Sequence, residues 1–360
     1  MIRPLAAVRL LALLSLAPSG LRAQEPARPR PPNPAPVFPV EARIVWIDVV
    51  AADSRDRPVA DLGPEDFEVV EGGERRPIVL FKAPDLGPAN RAVVFLIDDI
   101  SSTARQIERA RDVARRMLAK AVAGDRAVLI ATASRVSASA LLPAGASALR
   151  AQLDRIRAHP DLNAALGDPE QARRLHWGRV EAVVAALEAL QGHAGPRALV
   201  VIGPSLPYRA SGPFGIAAYE RVMRASERAA APIYFFETGE DTPPSPSQSL
   251  SPDWITGKGS VIGVAPLIPM APGGSSRASA TVLDAVAEDS GGFTSANPAG
   301  WSWAMDRILA ARAYYLLGIP SAPETWDGGY HHVEVRVLRK HVRLLSRKGY
   351  FAPPPATAPR

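Results

Sequence analysis

Ser205 is the residue of this 360-residue chain whose setting comes nearest to that of a catalytic nucleophile. It lies in the run GPSLP at 203–207, directly after an apolar segment with the composition of a strand. A serine nucleophile on a strand-to-helix turn needs the spacing G-x-S-x-G, which this run lacks, and Pro204 and Pro207 stand where a helix would begin. Three histidines fall in predicted loops or at predicted helix ends, where solvated histidines are common: His159, His176 and His193. The sequence therefore disfavours hydrolase chemistry.

Two further patterns resemble ligand-binding motifs without having their spacing. The glycine-rich run at 257–263 does not follow a strand, and its lysine precedes glycine where a phosphate loop needs serine or threonine. His331, His332 and His341 could suggest a metal site, but adjacent residues of a strand point to opposite faces, so we expect surface histidines. The chain has no cysteine, which excludes disulfides and thiolate metal sites.

The polar run DDISST at 98–103 is a stronger candidate for a functional loop. It follows the continuous apolar run at 92–97, which is typical of a strand buried on both faces in a parallel sheet. Ser101 or Ser102 can cap the next helix, whose apolar residues recur at helical spacing. In open α/β sheets the loops at the carboxyl ends of the strands form the binding surface, and this run would lie there.

Strand and helix patterns alternate through the middle of the chain. Buried strands are predicted at 92–97, 126–132, 198–202 and 232–236, and amphipathic helices at about 145–157, 178–191, 215–230, 277–289 and 301–312. This alternation predicts an α/β fold with a doubly wound, mostly parallel sheet over residues 90–312. Trp301, Met305 and Ile308 share one helical face, so we expect Trp301 to be buried in the core.

Short strands are predicted on both sides of this α/β domain. Residues 41–85 contain three of them, with turns rich in glycine and aspartate, and residues 313–352 contain three more. Three short strands are few for independent stability. We therefore expect the carboxyl-terminal strands to join the first segment in one small accessory sheet.

The first forty residues have the composition of an export signal and a spacer. Residues 1–23 combine early arginines, an apolar stretch and a small-residue end, which predicts a cleaved signal peptide and a periplasmic or extracellular protein. Residues 24–40 are proline-rich and predict an extended linker. No later stretch is apolar enough for a transmembrane helix, so no stable membrane insertion is expected after cleavage.

Charge says little about the partner of this chain. The net charge is +6, and because three arginines lie in the acid-free segment 1–23, the remainder carries about +3. The basic residues are scattered and do not alternate with aromatic residues, so we do not expect nucleic-acid binding.

Several segments resemble one protein family. The run FLIDDISS at 95–102 is similar to the first strand and metal loop of von Willebrand factor A domains. The runs at 58–62, 65–69 and 71–73, with YYLLG at 314–318 and SRKGYF at 346–351, resemble the bacterial "VWFA-related" proteins of the acidobacterial type. The resemblance spans about residues 40–352. It implies a von Willebrand factor A-like α/β domain in an adhesion or scaffold protein.

The family's metal site is only partly present in this sequence. The resemblance implies Asp-x-Ser-x-Ser after the first strand, a threonine on a later loop and an aspartate after the central strand, all around one Mg²⁺. Asp98 and Ser102 occupy the first and third positions, but Ile100 replaces the first serine. A shifted register would use Asp99, Ser101 and Thr103 instead, and it would begin one residue beyond the strand.

The two later loops also depart from the family pattern. The loop expected at 174–178 reads RLHWG, without threonine, and GPS at 203–205 stands where Thr-Asp-Gly is usual. We therefore predict a degenerate metal site and no cofactor, with weak Mg²⁺ binding by Asp98 and Ser102 as an alternative. Loop residues would then contact a protein partner, with Asp99, Ser205 and Trp254 as candidates. Trp254 lies in a long segment at 239–276, rich in proline, serine and glycine.

The sequence thus predicts an exported, non-enzymatic protein that binds a protein partner, whose identity it does not give. Two alternatives stay open at this point. One is a Mg²⁺-dependent ligand binder with an atypical site, and the other is an enzyme of unrecognised class.

Overall fold

The computed structural model of this chain describes residues 43–84, 90–133, 141–239, 280–310, 314–321 and 326–354. They lie within a single unit, Val40–Arg360. The strands before the α/β part are β1 (Arg43–Asp53), β2 (Phe67–Glu71), β3 (Glu74–Arg76) and β4 (Leu80–Lys82). The next six are β5 (Ala92–Ile97), β6 (Arg126–Ala131), β7 (Leu142–Pro143), β8 (Arg197–Gly203), β9 (Ile233–Glu237) and β10 (Phe293–Ser295). The last four are β11 (Tyr314–Ser321), β12 (Tyr330–Val337), β13 (Val342–Ser346) and β14 (Gly349–Phe351).

A six-stranded central sheet has the order β10-β9-β8-β5-β6-β7. All of its pairs are parallel except that of β6 with β7, which is antiparallel. Every residue of β5 is buried, as expected for an apolar strand covered on both faces. The prediction of a mostly parallel α/β sheet is confirmed, while β7 and β10 were missed because two or three residues carry no readable pattern. The strand order reverses between β5 and β8, which we call the switch point.

Helices cover both faces of the central sheet. They are α1 (Ala104–Ala119), α2 (Ser147–Arg155), α3 (Pro160–Ala165), α4 (Pro169–Glu188), α5 (Pro213–Ala229), α6 (Val282–Asp289) and α7 (Trp301–Ala310). Side chains of α1, α2 and α7 pack on one face, and those of α4, α5 and α6 pack on the other. Trp301 is 6% exposed and packs with Met305 and Ile308, so its predicted burial is confirmed. Within the ranges given above, none of the helices has the length and apolar character needed to span a membrane.

The remaining strands form two four-stranded sheets, with orders β13-β1-β11-β4 and β14-β12-β2-β3. Strands from the two ends of the chain pair as expected: β1 pairs with β11 and β13, and β2 pairs with β12. The expectation of one accessory sheet is wrong, because strand alternation gives each sheet an apolar face that needs a second sheet against it. Ile47, Val49 and Tyr315 of one sheet share a core with Val69 and Tyr350 of the other.

Two helix starts differ from the prediction, and both affect the candidate site. Helix α4 begins at Pro169, nine residues before the predicted start, and Asp168 caps it by accepting a hydrogen bond from the Gln171 amide at 2.8 Å. The supposed loop at 174–178 is therefore helical. Thr103, rather than Ser101 or Ser102, caps α1, because its hydroxyl accepts from the Gln106 amide at 3.3 Å.

Candidate functional site

Asp98 lies at the switch point, directly after β5 and against the end of β8. Its amide donates to the Ile202 carbonyl at 2.9 Å, and its Oδ1 accepts from the amides of Ile100 and Ser101 at 3.1 Å each. Gly203 makes this approach feasible, because a Cβ at that position would lie 2.5 Å from the Asp98 Cβ. The carboxylate is 3% exposed, so it is held in a buried loop at the carboxyl edge of the sheet.

Arg179, which reaches this loop from α4, is the cationic partner of Asp98. Its Nη2 lies 2.7 Å from Asp98 Oδ2 and donates to the Pro204 carbonyl at 2.6 Å. The hydrogen bond is directed at Pro204, so the contact with Asp98 is an ion pair rather than an aligned hydrogen bond. Arg179 is 5% exposed. The guanidinium therefore links α4 to the loops that follow β5 and β8.

Burial and charge shift the titration of the groups on α4. Burial lowers the pKa of the Arg179 guanidinium and Asp98 opposes this shift, although an arginine in a protein stays protonated. Burial lowers the pKa of His176 to about 4, with a further lowering by Arg179 and an opposing effect of Asp98. His176 is 5% exposed, and its Nδ1 lies 3.2 Å from the Tyr208 hydroxyl. The expectation of a solvated His176 in a loop is therefore wrong, because the helix extends over it.

Mg²⁺ does not fit the arrangement around Asp98. The ion requires several hard oxygen ligands in octahedral geometry and gives up its water reluctantly. Asp98 Oδ2 instead faces a guanidinium at 2.7 Å, and Ile100 presents a hydrocarbon side chain that is 5% exposed. Among the residues that the structure describes, there is no group of three or more His, Cys, Asp or Glu side chains suited to a metal ion.

The residues of the shifted register serve local structure. Asp99 is 1% exposed, and its Oδ1 accepts from the Ala133 amide at 2.6 Å while its Oδ2 lies 3.2 Å from His159 Nε2. Burial raises the pKa of Asp99, and the hydrogen bond from Ala133 opposes this. Thr103 is engaged as the cap of α1. The Asp99 carboxylate is thus held by His159 and by the segment that follows β6, and it does not lie on the surface.

Three buried hydroxyl groups lie on loops at the carboxyl edge of the sheet: those of Ser101 and Ser102 after β5, and that of Thr238 after β9. None of the three has a hydrogen-bond partner within the described part of the chain. Buried polar groups in native proteins are normally satisfied by protein or ordered water. Ordered water can satisfy these three hydroxyls.

The half-buried Ser205 side chain is hydrogen-bonded within the fold. Its Oγ donates to Thr281 Oγ1 at 2.9 Å, and that hydroxyl donates to Asp284 Oδ2 at 2.8 Å. This chain of hydroxyls connects the loop after β8 to the cap of α6. The contacts of Ser205 are therefore those of a structural hydroxyl next to the switch point.

Aromatic side chains lie close to the Arg179–Asp98 pair. Trp177, Tyr208 and Phe214, all half-buried, form what we call the aromatic cluster. The rings of Tyr208 and Phe214 stack with centroids 4.0 Å apart, and Trp177 meets Phe214 edge-on at 5.5 Å. Tyr208 also contacts His176, so the cluster extends to a buried residue one helical turn before Arg179 on α4. Trp254, the predicted contact residue, lies outside the described residues.

The remaining sequence candidates lie far along the chain from this edge. His331 is half-buried between Glu71 Oε1 and Asp327 Oδ1, at 3.2 Å and 3.1 Å, while His332 and His341 are exposed. A shallow cleft lies at the amino end of the central sheet, against the β1 sheet. Asp48 lines it, and burial raises the pKa of this carboxyl against the opposing effect of two arginines. Of the sequence-predicted site residues that the structure describes, none lines this cleft.

Comparison with known proteins finds no family model that matches the chain and no curated protein with significant similarity to it.

Proposed function

We propose that this chain is an exported, non-enzymatic protein with a von Willebrand factor A-like domain, which binds a protein partner at the carboxyl edge of its central sheet without a divalent cation. The observation that carries the proposal is the buried Arg179–Asp98 ion pair at the switch point. The Arg179 guanidinium already places a positive charge beside Asp98, where a cation-dependent site would bind its metal ion.

The topology supports the family resemblance. Numbered within the central sheet, the strands follow the order 3-2-1-4-5-6, with the third strand antiparallel at the edge. Open α/β sheets bind their ligands outside the carboxyl ends of the strands, at the place where the strand order reverses. Asp98, Pro204 and the unpaired hydroxyls of Ser101 and Ser102 all belong to the two loops that flank this place.

The aromatic cluster supplies a surface suited to a protein partner. Tryptophan, tyrosine and arginine are enriched among the residues that dominate the binding energy of protein interfaces, and tryptophan and tyrosine bury a large area at a small entropic cost. Trp177, Tyr208 and Phe214 are half-buried, so part of each ring remains available for contact. Trp254 stays a proposed contact residue on sequence grounds.

The engaged hydroxyl of Ser205 favours binding over catalysis. A nucleophilic serine requires a base within hydrogen-bonding reach, and the Ser205 hydroxyl is instead donated to Thr281. The alternative of a Mg²⁺-dependent binder rests on Asp98 and Ser102, and the guanidinium on Asp98 opposes it.

A pull-down from cell-envelope extracts tests this proposal with the purified chain as bait. We expect one captured partner that persists in EDTA, is lost in Tyr208→Ala and persists in Trp46→Ala. Trp46 is a matched control, because it is 45% exposed on a strand outside the central sheet. Capture that requires Mg²⁺ would contradict the proposal, and so would equal loss in both variants. Melting temperatures of the variants separate a lost contact from a lost fold.

A further inference from the structure

We propose that the Arg179 guanidinium is a permanent internal cation, which occupies the place beside Asp98 that a divalent ion would need and thereby masks a latent cation site. This inference deepens the metal-free part of the proposed function. The inference concerns cation binding at Asp98 only, so it can be wrong even if the protein binds its partner as proposed.

The contacts of Arg179 are those that a bound cation would make. Its Nη2 contacts one carboxylate oxygen, that of Asp98, and one carbonyl oxygen, that of Pro204. These are hard, anionic or dipolar oxygens, the ligand type that Mg²⁺ and Mn²⁺ prefer. Its Nη1 is buried and has no hydrogen-bond partner among the described residues, so the guanidinium is held mainly by its charge and by these two oxygens.

Electrostatic repulsion prevents the Arg179 guanidinium and a metal ion from pairing with Asp98 at the same time. Two like charges a few ångströms apart repel strongly away from bulk water, so Asp98 can pair with Arg179 or with a divalent ion, but not with both at once. Arginine cannot lose its proton in a protein and its covalent tether keeps it in place, whereas a metal ion must also shed water. The wild-type chain should therefore not bind divalent ions at Asp98.

Removal of the guanidinium would leave a buried carboxylate without its counter-charge. Asp98 Oδ1 would keep its two amide donors, and Oδ2 and the Pro204 carbonyl would lose Nη2 as their partner. The Ser102 hydroxyl, four residues along the same loop, is 1% exposed and has no partner within the described ranges. These oxygens favour entry of a small divalent ion into the space that the arginine leaves.

The experiment uses Mn²⁺ as the probe and compares wild type with Arg179→Met and with Arg179→Met/Asp98→Asn. We expect Mn²⁺ to leave the melting temperature of wild type unchanged and to raise that of Arg179→Met with an apparent Kd of about 10⁻³ M, because only one carboxylate contributes. The double variant should not respond. Calorimetric titration of the same three proteins gives a direct second readout.

Arg91→Met is the matched control, since Arg91 also forms a deeply buried ion pair, with Asp125, at the amino end of the sheet. It should lose stability without recovery in Mn²⁺. If Arg179→Met does not fold alone, refolding with Mn²⁺ becomes the readout, and recovery in Mn²⁺ would support the inference. An Arg179→Met protein that does not respond to Mn²⁺ would overturn it, as would Mn²⁺ binding by wild type that is lost in Asp98→Asn.

Discussion

The two ends of the central sheet each contain a buried arginine–aspartate pair, but the pairs differ in their surroundings. At the amino end, Arg91 pairs with Asp125 and donates to the Leu309 carbonyl of α7 at 2.7 Å, and Asp125 also accepts from the Val122 amide at 3.1 Å. At the carboxyl end, the pair of Arg179 with Asp98 lies between α4 and two loops. The first pair joins elements of the fold, and the second lies where the loops after β5 and β8 meet α4.

This difference in surroundings is the reason for proposing that the Arg179–Asp98 pair, rather than the Arg91–Asp125 pair, belongs to the functional site. Buried ion pairs are weak contributors to net stability, because desolvation offsets most of their attraction. A pair that links strands and a helix can be understood as a structural clamp. The Arg179–Asp98 pair also links elements, α4 with the loops after β5 and β8, but it lies beside the hydroxyls of Ser101 and Ser102, at the edge where open α/β sheets bind their ligands.

The largest expected effect is the loss of either arginine. Arg179→Met and Arg91→Met should each lower the free energy of unfolding by about 3–5 kcal/mol, because a buried carboxylate is left unpaired. Urea unfolding measures both. Arg174→Met is the control, since its ion pair with Glu170 is exposed and should contribute less than about 1 kcal/mol. An Arg179→Met variant with a nearly unchanged free energy of unfolding would contradict a buried ion pair between Arg179 and Asp98.

A pH-dependent effect is expected at the carboxyl end. The folded-state pKa of His176 is about 4, below its unfolded value near 6.5, so the unfolded chain binds more protons between these values. Stability should therefore fall as the pH drops from about 6.5 to 4, by up to about 3 kcal/mol. His176→Gln should flatten this part of the stability curve. An unchanged pH profile in that variant would show that His176 is not the group responsible.

Two glycines near the pair should respond in opposite directions. Gly203→Ala places a Cβ 2.5 Å from the Asp98 Cβ and should cost about 1–3 kcal/mol. Gly178→Ala, which lies in α4 with no atom within 4 Å of the new Cβ, should stabilise the protein by about 0.5–1 kcal/mol. Thermal unfolding of the two variants distinguishes them by sign. Tolerance of alanine at 203 would mean that Asp98 is not held against β8 as described.

The smallest expected effect concerns the start of α1. Thr103→Ala should cost about 1 kcal/mol, because it removes the hydroxyl that accepts from Gln106. Ser102→Ala should change stability less, since no described group bonds to its hydroxyl. If Ser102→Ala were the costlier change, the cap would be the residue suggested by the sequence rather than Thr103.

The sequence predicts the layers of this fold well, because long apolar strands and amphipathic helices carry clear periodicity. The pairing of β1 with β11 agrees with the expectation that strands from the two ends of the chain pair with each other. The second outer sheet was missed, because strand alternation reveals an apolar face but does not reveal what covers it. A strand of two residues, such as β7, is too short to show an alternation of apolar and polar residues.

The site could be predicted only in part. Asp98 stands out because it follows a fully apolar strand, but Arg179 and His176 were missed. Their positions in the helical repeat could have identified them, because both residues lie on the same buried, apolar face of α4 as Val180, Val183 and Leu187. A charged side chain on the buried face of a helix must be paired with a group inside the fold. Which carboxylate pairs with it depends on contacts between distant parts of the chain, which sequence periodicity does not encode.

Calorimetric titration of Mg²⁺, Mn²⁺ and Ca²⁺ into the purified wild-type chain tests the central claim most directly. With Arg179 on Asp98, we predict no binding tighter than about 10⁻³ M, the weak end of the range for protein cation sites. Binding tighter than this that disappears in Asp98→Ala would contradict the claim that the protein supplies its own cation at the switch point.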